Sequence, residues 1–338
     1  MSYVTTGLGK RKKQNMLSEF LGRMFYIVPR MPKFAQIEIT NSCNLNCKMC
    51  PRAFLKVPYK HMDMKVYKKV VDGLSGVHTL TLTGWGEPFY YGKIFECISY
   101  AKKKGLKVKL TNNGVLLNDA KIKKVFSTGL DELTFSLDHI KGDPDFGHPN
   151  KAALRNIKKI IEIREKRGLS RPRVVLQPTM HSRKAKNVSD VIRWGASVGA
   201  DRVNIARLDL RFDPKLRRAS EKEEKRIFTM AEKLSKEQGI RVDMVQFAVF
   251  DGFARLMYRL TRRLLHRFDH KCSKTYNYIY VNVDGFVTPC CFYPHMKRGD
   301  LKKQGLRDIW NGELFRLFRK KQENICGKCD VMKVRYLE

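Results

Sequence analysis

Short β-branched runs alternate with amphipathic stretches through most of the chain's first 245 residues, and that alternation leaves few ways to fold. Strand-like runs lie at 35–40, 77–83, 106–111, 131–137, 173–177 and 201–206. Helical patterns fill the intervals near 62–75, 92–104, 118–127, 150–167 and 187–199. Repeated strand–helix units call for a parallel sheet with helices packed outside it. A long charged helix at about 219–238 and a further strand-like run, Ile240–Val245, extend the series. No run of 18 apolar residues occurs, so the sequence holds no transmembrane span.

Directly after the first strand-like run comes Cys43-Asn44-Leu45-Asn46-Cys47-Lys48-Met49-Cys50. Three soft thiolates on one short loop suit a cubane iron–sulfur cluster, holding three of its irons and leaving the fourth without a protein ligand. An open metal corner is a place for something else to bind. The alternative for the same residues is a structural or zinc-binding set, although zinc sites favour two pairs of ligands.

Polar groups gather at the ends of the other strands. Gly84, Gly86 and Glu87 close the second, in the run Thr83-Gly84-Trp85-Gly86-Glu87-Pro88. Glycines let a backbone come close to a ligand, and a carboxylate can pair with an ammonium group. Asn112 and Asn113 end the third strand, Ser136 and Asp138 the fourth, and Gln177 the fifth. Hydroxyl, amide and carboxylate groups suit a polar ligand, and each also suits an ordinary turn or helix cap.

Cys272, Cys290, Cys326 and Cys329 form a second set around a β-like run at Tyr276–Val283 and a C-terminal Cys-x-x-Cys. Four thiolates complete one four-coordinate site, for a further cluster or for zinc. Cys291 adjoins Cys290 and competes with it as ligand. Cys97 lies in a helical pattern and reads as a small buried hydrophobe. Nine cysteines, grouped in this way and without a secretory signal, fit metal ligation in a reducing cytoplasm.

With the triad after strand one and the glycine-rich run after strand two, the chain resembles the radical S-adenosylmethionine (SAM) superfamily from about residue 34 to 330. The second set, with Gly285 ahead of Cys290, resembles that superfamily's SPASM module. Only Asp330–Glu338 follow Cys329, which favours the shorter Twitch form with one auxiliary cluster. The resemblance implies an α/β fold, a partial (β/α)6 TIM-type barrel at 34–250 with its chemistry at the strands' carboxyl ends. A basic amphipathic segment at 1–33 precedes it. A basic amphipathic helix at 251–271 connects it to a small auxiliary-cluster module at 272–338.

The same resemblance implies a 4Fe–4S cluster on Cys43, Cys47 and Cys50, with SAM on its open iron. SAM would be lined by Gly84, Gly86, Glu87, Asn112, Asn113, Ser136, Asp138 and Gln177. An auxiliary 4Fe–4S cluster would sit on Cys272, Cys290, Cys326 and Cys329. Reductive cleavage of SAM gives a 5′-deoxyadenosyl radical that takes hydrogen from an unactivated C–H bond. The auxiliary cluster would then accept an electron in the two-electron oxidation of an alcohol, sugar or lipid head group. An external donor such as ferredoxin or flavodoxin would supply the electron for cleavage. His139, Asp143, Asp145 and His148, crowded after strand four, are the candidate bases. Met49 departs from the aromatic residue that many relatives carry before the third cysteine, which puts the adenine contact in doubt. Within the family the other reading is a maturase of a peptide, protein or RNA. Outside it stands a zinc-dependent nucleic-acid-binding protein.

Lysine and arginine number 68 against 33 aspartates and glutamates, a formal charge of +35. That excess points to an anionic partner, whether lipid, phosphorylated or carboxylated small molecule, or RNA. Leu17, Phe20, Leu21, Met24, Phe25 and Val28 recur at helical spacing behind the basic tract 10–13. Phe253, Leu256, Met257, Leu260 and Leu264 do the same among arginines. Such stripes suit peripheral association with an anionic membrane surface, or packing on the protein itself.

Overall fold

A computed structural model of the chain describes residues 26–141, 150–180, 185–208, 219–244, 247–248, 272–326, 329 and 335–336. Asp143, Asp145, His148, the 253–264 stripe and all of the N-terminal stripe except Val28 lie outside them. The strands are β1 (Phe34–Ile37), β2 (Thr79–Leu82), β3 (Lys107–Asn112), β4 (Glu132–Ser136), β5 (Arg173–Gln177), β6 (Thr179–Met180), β7 (Arg202–Arg207) and β8 (Arg241–Met244). Between them run α1 (Met64–Asp72), α2 (Ile94–Lys103), α3 (Asp119–Ser127), α4 (Asn150–Lys166), α5 (Ala185–Ser197) and α6 (Glu221–Gln238). β1, β2, β3, β4, β5, β7 and β8 pair side by side, each parallel to the next. The short β6 pairs with the far end of β7. The barrel is partial, and its sheet does not close.

Local signals set where the helices begin and end. The Asp63 carboxylate accepts the Lys65 and Val66 N–H groups ahead of α1, and Asn118 accepts that of Lys121 ahead of α3. Ser220 and Glu223 form a capping box on α6, which stops at Gly239 with φ of 64°. One strand face buries residues such as Ile37, Leu82, Leu110, Phe135, Leu176 and Ile205 against the helices. The opposite face carries Gln36, Thr81, Lys109, Glu132, Ser136, Gln177, Arg202 and Asn204. A closed TIM barrel packs that inner face with branched apolar layers. Here it is polar, a lumen rather than a packed core.

The C-terminal module continues the same sheet. After β9 (Phe247–Ala248) comes β10 (Tyr278–Val281), which pairs parallel with β1, so β1 is a central strand and not an edge. β11 (Phe286–Thr288) and β12 (Gly299–Asp300) follow antiparallel. Then come α7 (Leu306–Asn311), α8 (Glu313–Lys320), α9 (Gln322–Cys326) and β13 (Arg335–Tyr336), the last pairing with β9.

The described end of the N-terminal segment is stitched onto this module. Val28 N–H donates to Asn311 Oδ1 (2.8 Å), Asn311 Nδ2 returns a bond to Val28 O (3.0 Å), and Trp310 Nε1 donates to Arg30 O (3.0 Å). Val28 is buried, so the last member of the N-terminal stripe packs on its own protein. Arg319 is fully buried with its guanidinium over Trp310 (4.4 Å) and donating to Tyr26 O (3.1 Å). Burial pulls its pKa down to about 10. Among the described residues, no helix is long and apolar enough to cross a membrane.

Candidate active site

The triad rides on a loop stapled at its base. The chain continues past β1 to Thr40, leaves at Asn41, and returns at His61, which bridges back to Thr40. Asn41 Nδ2 donates to Pro58 O (2.9 Å) and its Oδ1 accepts the Lys60 N–H (2.7 Å), while His61 Nδ1 meets Thr40 Oγ1 at 2.8 Å. Cys43, Cys47 and Cys50 are half-buried on this excursion. Leu45 N–H donates to Cys43 Sγ (3.4 Å), and Cys50 N–H donates to Cys47 O (3.0 Å). Burial pushes the Cys43 and Cys50 thiols up, against the Leu45 and Arg52 N–H groups that favour the thiolates. Ligation by a metal displaces those protons. Three soft sulfurs, two of them with backbone donors, fit a cluster with one open iron.

The glycine run lies against that loop. A Cβ on Gly86 would fall 2.5 Å from Ser42 O and 2.6 Å from Thr40 O. A Cβ on Gly84 would fall 2.2 Å from Glu38 Cγ. The close approach these glycines allow is therefore to their own protein. We expect Gly86→Ala to push the two loops apart and weaken SAM binding roughly tenfold, about 1.4 kcal/mol. Calorimetric titration of the reconstituted variant checks this, and wild-type affinity would show that the loops move independently.

Glu87 is buried, with Oε1 accepting the Phe89 N–H (3.0 Å) and Oε2 the Asn113 N–H (2.7 Å). Burial pushes its carboxyl up to about 7 against those two donors. It clamps the β2 loop to the end of β3. Asn113 Nδ2 in turn donates to Asn44 Oδ1 (2.9 Å), inside the triad loop.

Asn112 departs from its expected place in the SAM lining. It belongs to β3 itself, on the helix-facing side, and is buried. Its Nδ2 donates to Thr134 O (2.9 Å) and its Oδ1 accepts the Gly114 N–H (2.8 Å). Ser136 and Gln177 stand level on β4 and β5, both half-buried on the lumen side. By extension of the β5–β7 register, Asn204 joins their row. Asp138 is buried and its Oδ1 accepts the Thr179 N–H (2.7 Å). His139, one of the candidate bases, is also buried.

Toward the strands' amino ends the lumen face becomes ionic: Arg202 and Arg241 lie one layer below the Ser136 row, and Glu132, Arg173 and Lys109 two layers below, while Asp243 is level with Asn204. Glu132 meets Lys109 (3.0 Å), Arg173 (3.0 Å) and Arg202 (3.3 Å), and Asp243 meets Arg202 (3.5 Å) and Arg241 (3.0 Å). Arg202 Nε and Asn204 Oδ1 are buried without a hydrogen bond among the described residues. Sequence reasoning missed both. The signal was the β7 alternation Arg202-Val203-Asn204-Ile205, which turns two polar groups to the lumen.

The four auxiliary thiols also come together. Cys326 and Cys329 are buried beside Phe318, with Cys272, Tyr293 and Met296 packed against them. Cys329 N–H donates to Cys326 O (2.7 Å), and Tyr293 Oη donates to Ile325 O (2.7 Å). Burial pushes Cys290 well up, with Cys272 and Cys326 among its charged-state neighbours. Cys291 stands beside Cys290 and also neighbours Tyr278 and Tyr280 on the sheet side. Four thiols against an apolar wall fit an auxiliary cluster. Cys97 is buried in α2, its thiol pushed up to about 12 by burial.

One side chain joins the two centres. Trp85, between the two glycines, has its N–H held by Glu38 Oε1 (3.0 Å). Its indole Nε1 donates to Cys291 O (2.9 Å), and its ring lies 5.2 Å from Phe292.

Residues 37–181 match the family model of the radical SAM superfamily, and residues 272–330 match SPASM, an iron–sulfur cluster-binding domain. The chain is 22% identical over 324 residues to the tungsten-containing aldehyde ferredoxin oxidoreductase cofactor-modifying protein of Pyrococcus furiosus, covering 85% of this chain and 83% of that protein. It is 25% identical over 329 residues to the AdoMet-dependent heme synthase of Methanosarcina barkeri, covering 90% of each. In fold it is similar to Streptococcus suis SuiB bound to S-adenosylmethionine. The TM-score is 0.71 at 14% identity, covering 95% of this chain and 75% of that one.

Proposed function

Because this chain belongs to the radical SAM superfamily and carries a C-terminal SPASM iron–sulfur module, we propose that it oxidises a small anionic substrate at an unactivated C–H bond. Its cofactors are SAM, a 4Fe–4S cluster and an auxiliary iron–sulfur cluster. Bound at the open iron, SAM supplies a 5′-deoxyadenosyl radical on one-electron reduction, and the auxiliary cluster supplies an electron acceptor.

The observation that carries the reading is the Trp85 indole bond to Cys291 O, which sets the second thiol set beside the carboxyl end of the barrel. The chain's own residues would do the rest. Glu87 and Asn113 hold the triad loop and the β2 and β3 ends in one arrangement. Ser136, Gln177 and Asn204 offer hydrogen bonds from one lumen row. Just beneath them the largely buried Arg202 meets Glu132 and Asp243, with Lys109, Arg173 and Arg241 adding further cations toward the strands' amino ends, a balance that favours a carboxylate or phosphate on the substrate. The two relatives named above are a cofactor-modifying protein and a heme synthase by name, which supports a small molecule over a peptide.

Purified without oxygen and reduced with dithionite, the protein is expected to convert SAM to methionine and 5′-deoxyadenosine. Given a small-molecule extract of a deletion strain, it should consume one compound and release a product two hydrogens lighter. A product of unchanged mass would rule out net oxidation while leaving the radical chemistry standing.

A further inference from the structure

We propose that Arg202 and Asn204 determine specificity by holding a hydroxyl of the substrate, so that the anionic small molecule taken by this site is also hydroxylated, of the polyol or sugar class. This rests on the lumen being the substrate site, as the proposed function has it. It turns on one donor and one acceptor that the sheet leaves without partners.

The neighbouring strands explain both. By the registers of β5, β7 and β8, Arg202 stands between Val175 and Arg241. Val175 has no polar side-chain atom, and Arg241 has only donors, with its Nε already on Asp243 (3.0 Å). Arg202 sends Nη2 to Glu132 (3.3 Å) and Nη1 to Asp243 (3.5 Å). Its Nε–H is left with no acceptor. One layer higher, Asn204 stands between Gln177 and Asp243. An ionised Asp243 only accepts, so it cannot serve the Asn204 carbonyl oxygen, and Gln177 makes no bond to it.

Buried polar atoms nearly always have a partner, so a donor and an acceptor orphaned two residues apart on one strand face mark the place of a guest. Both side chains reach the lumen surface, Arg202 being 20% exposed and Asn204 half-buried. The terminal torsion of an asparagine is soft, which lets its amide turn toward what binds.

The two atoms ask for opposite things. Arg202 Nε–H needs an acceptor, Asn204 Oδ1 needs a donor, and a hydroxyl is both. A carboxylate or phosphate oxygen would satisfy Nε but face Oδ1 and the Asp243 carboxylate. An ammonium would satisfy Oδ1 but meet the Arg202 cation, and an ether or carbonyl oxygen has nothing to donate. Both terminal nitrogens of Arg202 already face carboxylates, so the pair presents a neutral donor and acceptor rather than a free charge. Ser136 and Gln177, level with Asn204, each carry a donor and an acceptor, which suits further hydroxyls on the same molecule. A site built to hydrogen-bond a hydroxyl rejects the analogue lacking it, because its polar atoms are then left unpaired.

The test uses the reconstituted holoprotein with SAM bound and two probes of equal charge and similar size, glycerol 1-phosphate and propyl phosphate, titrated by calorimetry. Glycerol 1-phosphate should bind about tenfold more tightly. N204L keeps the shape of the side chain without its acceptor and should bring the two probes within about twofold of each other. N204D keeps an acceptor and should preserve the preference while its charge weakens both probes. A crystal structure of the glycerol 1-phosphate complex should place a hydroxyl oxygen against Nε and Oδ1. Equal binding of the two phosphates by the wild type would overturn the proposal alone, as would water and nothing else at those two atoms. Loss of SAM affinity in folded N204L would assign the pair to SAM and overturn it too. If neither phosphate binds, the anionic substrate of the proposed function falls with it.

Discussion

Replacing Cys43, Cys47 and Cys50 together with alanine is expected to abolish 5′-deoxyadenosine formation and remove about half the iron, since two thiol sets each suit a four-iron cubane. The effect should be complete for chemistry and small for the fold. Asn41, Thr40 and His61 close the base of the triad loop without any thiol, and Arg52 Nη2 donates to Leu45 O (2.8 Å) within it. The auxiliary set has its own apolar wall around Phe318 and should keep its iron. Iron analysis, circular dichroism and chromatographic assay of SAM products would be read together. Continued SAM cleavage by the folded triple variant would show that the triad is not the SAM-binding centre.

Replacing Cys326 and Cys329 with alanine should split the activity the other way. SAM cleavage should remain measurable, because Glu87, Asn113 and Asn44 tie the triad loop to the ends of β2 and β3 through hydrogen bonds that use neither replaced residue. Two-electron oxidation of substrate should fail, and about half the iron should again be lost. The variant's geometry near the barrel should be kept, since Trp85 reaches the module at Cys291 O and not at either replaced residue. Measuring 5′-deoxyadenosine and substrate-derived product in the same reaction separates the outcomes. Full product yield would show that the second set is only structural.

The strands and helices were legible because their periodicity is local. Each β-branched run and each amphipathic stretch carries its own signal, and the cysteine spacings name their chemistry within a few residues. Long-range pairings carry no such signal. Nothing near Phe34 or Tyr278 announces that β1 and β10 lie side by side, and the join changes β1 from an edge into a central strand. Asn112 shows how one residue of strand length matters. β3 ends at Asn112 rather than at residue 111, and strand alternation then sends that side chain to the helices and leaves Asn113 for the triad loop. The glycines were read as making room for a ligand, whereas Glu38 and the Thr40–Ser42 backbone occupy that room. Trp85 was not singled out from its glycine-rich run, because its partner Cys291 lies 206 residues away.

The β1–β10 join also governs how this protein can be made. Gln36 and Tyr278, neighbours through a side-chain hydrogen bond across the two strands, are 242 residues apart along the chain. At about 5–20 residues per second, β1 waits roughly 12–50 s on the ribosome for its second partner. Through that interval one side of Phe34–Ile37 is an unpaired edge, the kind of surface on which nascent chains stick to one another. Slowed synthesis or crowded overexpression should therefore send this chain into aggregates before its cofactors ever become limiting, and a soluble yield that rises with chaperone supply would be the sign of it.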